Sequence, residues 1–219
     1  FFYGGSWQSG DRQTYQFVGS ALAAKGIVTV IPDYRLFPAV HYQGFLDDGA
    51  SAVRWARDHA RQYGGDPSKL FLVGHSAGAY MAAMLALDNA WLGAEGLSPR
   101  DLRGFVGISG PYDFLPSRDK TIAEIFSTAK TVRQAEPIYF ASPHAPPTLL
   151  LHGTSDTTVY PRNSAKLGER LREGASPVEI KLYPRVGHLG IIGAVGAPLR
   201  FIAPTLEDTA AFIERRSAP

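Results

Sequence analysis

Apolar positions along the chain fall into two patterns: short unbroken runs, and longer stripes that recur every three or four residues. Tyr15, Val18 and Leu22 recur at helical spacing, and Lys25-Gly26 has the form of a helix end with its glycine just outside. Ile27 to Ile31 is a β-branched run that predicts a buried strand. Phe45 to Tyr63 predicts a second helix, with Val53, Ala56, Ala60 and Tyr63 on one face and Gly64-Gly65 stopping it. Leu70 to Val73 predicts the next strand, and Ala77 to Leu87 the next helix. Further strands are expected at Phe105 to Ile108, Thr148 to Leu151 and Val178 to Leu182. Helices are expected from about Arg162 to Arg172 and from about Thr205 to Arg216, the last with Pro204 near its start.

Unbroken apolar strands are buried on both faces, and intervening helices supply the crossovers that parallel strands need. The expected fold class is therefore α/β, a mostly parallel twisted sheet with helices on both faces. A length of 219 residues suits one domain, 1–219. The segment 110–147 interrupts the alternation. Its length, a short helix around Ile122 to Phe126, and the apolar Phe114, Leu115, Ile122, Ile125 and Phe126 together predict a small packed lid. The opening Phe1-Phe2-Tyr3-Gly4-Gly5 reads as a strand end entering a tight loop, so the first strands of the sheet are expected upstream of this sequence.

Composition narrows the function classes. With 45% apolar and 19% charged residues and a net charge of +2, no basic stripe marks a nucleic-acid surface. The absence of cysteine rules out disulfide frameworks, thiol nucleophiles and thiolate metal sites. No apolar run approaches the ~20 residues of a spanning helix. No charged segment followed by an apolar stretch opens the sequence, which leaves a cytoplasmic location as the expectation. The sequence contains no H-E-x-x-H, P-loop or dinucleotide fingerprint, so no metal and no cofactor is expected. Gly190, Gly193 and Gly196 lack a phosphate-loop context and read as a flexible loop.

The strongest chemical signal is Gly74-His75-Ser76-Ala77-Gly78, a G-x-S-x-G set between a strand and a helix. A serine on such a turn is lifted above the carboxyl edge of the sheet, beside a helix N-terminus that favours developing negative charge. The hydroxyl needs a base. Of the six histidines, His188 alone follows every candidate acid in the chain order Ser, acid, His. The base needs a carboxylate to hold its tautomer. Asp156, just past a strand, is the favoured acid, with Asp113 its rival. His75 is expected to pack structurally, and His152 to order the following loop. An oxyanion would need aimed backbone N–H donors; Tyr3-Gly4-Gly5-Ser6-Trp7 offers Gly4 and Gly5, with Ala77 completing the hole. Trp7, Tyr112, Phe114 and Tyr160 follow strand ends at the same edge and are candidates for binding substrate.

These segments, with Pro32-Asp33-Tyr34-Arg35-Leu36, Tyr63-Gly64-Gly65-Asp66-Pro67 and His152-Gly153-Thr154-Ser155-Asp156, give the chain a family resemblance. It resembles α/β-hydrolase carboxylesterases of the hormone-sensitive-lipase-like and feruloyl-esterase-like branch, close to arylformamidases. The resemblance implies Ser76 as nucleophile, His188 as base and acid, Asp156 as orienting acid, and Gly4, Gly5 and Ala77 as oxyanion donors. It implies a small-molecule ester as substrate, an acyl-enzyme on Ser76, and no nucleic-acid partner. The alternatives are N-formylkynurenine hydrolysis by an arylformamidase-type enzyme and a non-catalytic ligand-binding relative. Where the family's oxyanion motif begins with His, this chain has Tyr3, and altered loop packing is expected there.

Overall fold

The structure is a computed structural model and describes residues 1–218. Four strands, β1 (Leu70–His75), β2 (Leu102–Ile108), β3 (Thr148–Gly153) and β4 (Val178–Tyr183), lie side by side in that order. Every pairing is parallel. Among the described residues the α-helices are α1 (Gln16–Ala23), α2 (Tyr42–His59), α3 (Ala77–Leu87), α4 (Asn89–Ala94), α5 (Lys120–Ile125), α6 (Arg162–Glu173), α7 (His188–Gly193) and α8 (Thr205–Ser217).

Successive strand side chains point to opposite faces. Leu72, Phe105 and Leu150 join a core with α2, α3 and α6. Val73, Val106, Leu149 and Leu151 join a second core with α1, α7 and α8. Burial on both faces explains why the strands read as unbroken apolar runs. Helix α3 has no polar face because all of its residues are buried; it lies against β1 and β2 on one side and α2 on the other.

Four expectations need correction. Ile27–Ile31 forms no regular strand: Val28 is exposed and its neighbours are half-buried. Its sheet-side neighbour is the Phe1-Phe2 segment, which reaches it through one bond, Phe1 N–H to Val30 O at 2.7 Å. One bond does not make a ladder. Second, the buried face of α2 is Tyr42, Phe45, Leu46, Gly49, Ala50 and Val53. Tyr63, expected on that face, lies exposed in a 3-10 turn that Gly64 ends at φ +81°. Third, Gly190 and Gly193 belong to a helix, α7, because Ile191 and Ile192 are buried against the second core. Gly196 precedes a further 3-10 turn. Fourth, the helix expected around Ile122 to Phe126 begins at Lys120, where the Asp119 carboxylate accepts the Ile122 N–H.

Segment 110–147 packs inward through Tyr112, Ile125 and Phe126. A cavity of about 370 Å³ lies elsewhere, along the outer side of β1 between Leu70–Val73 and Ile27–Val30, with α2 residues forming one wall. Among the described residues no helix is long and apolar enough to cross a membrane, and no group of His, Asp or Glu gathers as a metal site.

Candidate active site

All four strands end at one edge, and the loops leaving β1, β3 and β4 carry Ser76, Asp156 and His188. Ser76 sits in the turn from β1 to α3 at φ +54°, a conformation that non-glycine residues rarely adopt. The surrounding glycines make the turn possible. A Cβ on Gly74 would fall 2.2 Å from Gly78 O, and one on Gly78 would fall 2.1 Å from Phe2 O. The Ser76 N–H donates to Ile108 O at 2.9 Å, tying the turn to the end of β2. Although Ser76 precedes α3, its side chain does not cap the helix. The Oγ lies 2.8 Å from His188 Nε2 instead.

His188 begins α7, and its loop is stitched to the one after β3. Thr154 N–H donates to Tyr183 O at 2.9 Å, and Ser155 N–H to Val186 O at 3.0 Å. Gly153 permits this approach, since a Cβ there would meet Val186 O at 2.1 Å. His188 Nδ1 lies 2.7 Å from Asp156 Oδ2. The Nδ1–H tautomer satisfies this network and leaves Nε2 to accept the Ser76 proton. Asp156 is buried. Burial opposes its ionisation, but bonds from His152 and His188, the Val159 N–H and the His188 charge outweigh it and hold the carboxyl far below the usual carboxylate range. Its other oxygen accepts the N–H groups of Thr158 and Val159 at 3.0 and 2.9 Å.

The remaining histidines nearby are structural. His152 Nε2 donates to Val159 O at 2.8 Å and lies 3.4 Å from Asp156, while Nδ1 accepts from Ser164 at 2.7 Å. It orders the loop that carries the acid. His75 is buried, and Nε2 donates to His188 O at 3.2 Å. Burial, then the neighbouring His188, lowers its pKa to about 3, so it stays neutral. Asp113, the rival acid, instead pairs with Lys166.

Gly4 packs against the serine turn, where a Cβ would lie 2.9 Å from Ser76 Cβ. Gly4 thus lies against the nucleophile, Gly5 follows it in the loop, and Ala77 opens α3 directly after Ser76. Gly5 has φ +137°, and Ser6 and Trp7 follow at +54° and +59°, a chain path that the bare Gly-Gly signal did not reveal. Tyr3 stacks on Tyr15 and Tyr34 and its hydroxyl donates to Asp33 at 3.3 Å.

The four aromatic candidates divide. Trp7 is buried, stacked on Phe45 and Phe114 and meeting Tyr80 and Phe126 edge-on. Phe114 is half-buried in the same cluster. Tyr112 is fully buried and fills the space left by Gly107 and Gly110, so it offers no surface to a ligand. Tyr160 is exposed, with Arg162 over its ring. Sequence reasoning missed Tyr15, Tyr34, Asn163 and Glu136. Asn163 Oδ1 accepts from Tyr112 N–H at 2.9 Å and Asp113 N–H at 3.0 Å; Glu136 accepts from Phe114 and Leu115 N–H. Of these, only Tyr34 lay in a motif that carried the family resemblance.

Several known proteins are similar to this chain. The BD-FAE family model matches residues 1–171. A probable isoprenylcysteine alpha-carbonyl methylesterase of Arabidopsis thaliana is 27% identical over 86% of this chain and 44% of its own length. Esterase LipC of Mycobacterium tuberculosis is 31% identical over 86% of this chain and 51% of its own length. The chain thus spans about half the length of the curated relatives it matches. Esterase 2 of Thermogutta terrifontis, in a structure phosphoramylated by tabun, superposes with a TM-score of 0.83 at 25% identity, covering 100% of this chain and 83% of that one. From its matched sequence and its parallel sheet, the chain belongs to the BD-FAE family and carries the α/β-hydrolase fold.

Proposed function

We propose that the protein is a serine hydrolase that cleaves carboxylic esters of small substrates through an acyl-enzyme on Ser76. The observation that carries this reading is the unbroken relay from Asp156 through His188 to Ser76, at 2.7 and 2.8 Å. In this reading Ser76 Oγ attacks the ester carbonyl while His188 Nε2 takes its proton, and the ionised Asp156 stabilises the imidazolium. The oxyanion rests on N–H groups of Gly4, Gly5 and Ala77, the last at the N-terminus of α3. His188 then protonates the leaving alcohol, and water releases the acyl group by the reverse sequence. Segment 110–147 acts as a lid: Phe114 and Phe126 close over Trp7, beside the oxyanion loop. The relatives' names, an esterase and a methylesterase, agree with an ester substrate.

Hydrolysis of p-nitrophenyl butyrate by the protein and by Ser76→Ala tests the proposal. The expected result is turnover by the wild type and a loss of about 10³ or more in kcat for the variant. A folded wild type no faster than Ser76→Ala would sink the ester reading. Turnover of N-formylkynurenine in place of esters would transfer the same triad to formamide hydrolysis.

A further inference from the structure

An oxyanion hole works only if its donors are aimed before the charge develops. Two consecutive glycines oppose that requirement, because neither has a side chain by which packing could hold it. Something else must fix the Tyr3-Gly4-Gly5 path. Tyr34 is buried, and its hydroxyl donates to Tyr3 O at 2.7 Å. A carbonyl and the N–H that follows belong to one planar unit, so this bond orients the whole Tyr3–Gly4 peptide. Tyr15 also stacks on the Tyr3 ring, with centroids 5.6 Å apart.

The grip is anchored in turn. The Tyr34 ring stacks on Tyr3 with centroids 4.5 Å apart, and its N–H reaches the Tyr3 hydroxyl at 3.5 Å. The next residue, Arg35, forks onto Asp48 of α2 at 2.7 to 3.1 Å, and Asp48 also accepts the Arg35 N–H at 2.8 Å. A rigid path therefore runs from α2 to the Tyr3–Gly4 peptide.

We propose that Tyr34 clamps the Tyr3–Gly4 peptide and so aims the Gly4-Gly5 donors at the oxyanion, making Tyr34 a positioning residue for the reaction. This rests on the serine-hydrolase reading. Tyr34→Phe keeps the stacked ring and removes only the hydroxyl. Its kcat and KM for p-nitrophenyl butyrate should be measured beside inhibition by an alkyl trifluoromethyl ketone. Ser76 adds to that ketone, its proton passing to His188 and the carbonyl oxygen becoming an oxyanion in the hole. Deleting a donor outright costs about 10²–10³, so misaiming one should lower kcat on the order of tenfold. The ketone's inhibition constant should rise by the same factor, with KM within about twofold. A general loss of structure would not move kcat and ketone binding together while sparing KM.

Folded Tyr34→Phe with unchanged kcat and unchanged ketone inhibition overturns the clamp. So does a fall in kcat that ketone binding does not follow. If Tyr34→Phe does not fold, Arg35→Met, at an exposed site, releases the anchor on Asp48 alone; the same paired loss supports the clamp, and no change overturns it. A folded wild type inert to both ester and ketone removes the hydrolase reading itself, and the clamp with it.

Discussion

At Asp156 a buried carboxyl remains ionised because several donors converge on it. Burial alone would raise its pKa; His152, His188 and the Val159 N–H reverse the sign. Asp156→Asn keeps the shape and removes the charge that selects the Nδ1–H tautomer of His188. Its kcat on p-nitrophenyl butyrate should fall by about 10³–10⁴, with the fold retained by circular dichroism; a loss under tenfold would mean that another group orients His188. Ser76 was legible because its signal is local, a strand, small residues and a helix within a few positions. Asp156 and His188 were legible from chain order, although 32 and 112 residues separate His188 from its two partners. Tyr34 was quoted in a motif but given no role, since its partner is a backbone carbonyl 31 residues away, and a carbonyl leaves no trace in a sequence.

Among the elements, the periodic ones were predicted to within a few residues, and the failures were those fixed by distant packing. The glycines of 190–196 suggested a loose loop, yet burial of Ile191 and Ile192 makes α7 a helix with His188 at its start. In segment 110–147 the apolar residues were read correctly as packed, but the group that pins the segment, Glu136, was not seen. It is fully buried and accepts N–H bonds from Phe114 and Leu115. Burial raises its pKa to about 7; the two N–H bonds oppose the rise, and Asp113, itself paired with Lys166, adds to it. A carboxyl raised in the folded state contributes stability that is complete below its ordinary value of 4.5 and is lost as pH climbs through about 7. Across that window the wild type should lose about 1.4 kcal/mol per pH unit relative to Glu136→Gln, which stays neutral. Unfolding midpoints of the two proteins from pH 4.5 to 8 check this; parallel curves would show that Glu136 does not titrate there.

For the molecule as a whole, the two cores were legible as a class but not as a partition. Periodicity showed that both faces are buried; which helix covers which face depends on register and crossover. It also left the state of the outermost strand open. Along Leu70–Leu72, β1 pairs with β2 on one side and borders the cavity of about 370 Å³ on the other. The amides of β1 that point into that cavity should exchange with deuterium faster than those of β2 and β3, which have a strand on each side. Peptide-resolved exchange followed by mass spectrometry reads this directly, and equal protection across the three strands would show the edge to be covered in solution.

The stitching of the loops after β3 and β4 has a consequence for motion. Thr154 and Ser155 bond to Tyr183 and Val186, so the acid and the base ride on one hydrogen-bonded unit. A displacement of that unit would carry Asp156 and His188 away from Ser76 together and leave their mutual bond intact.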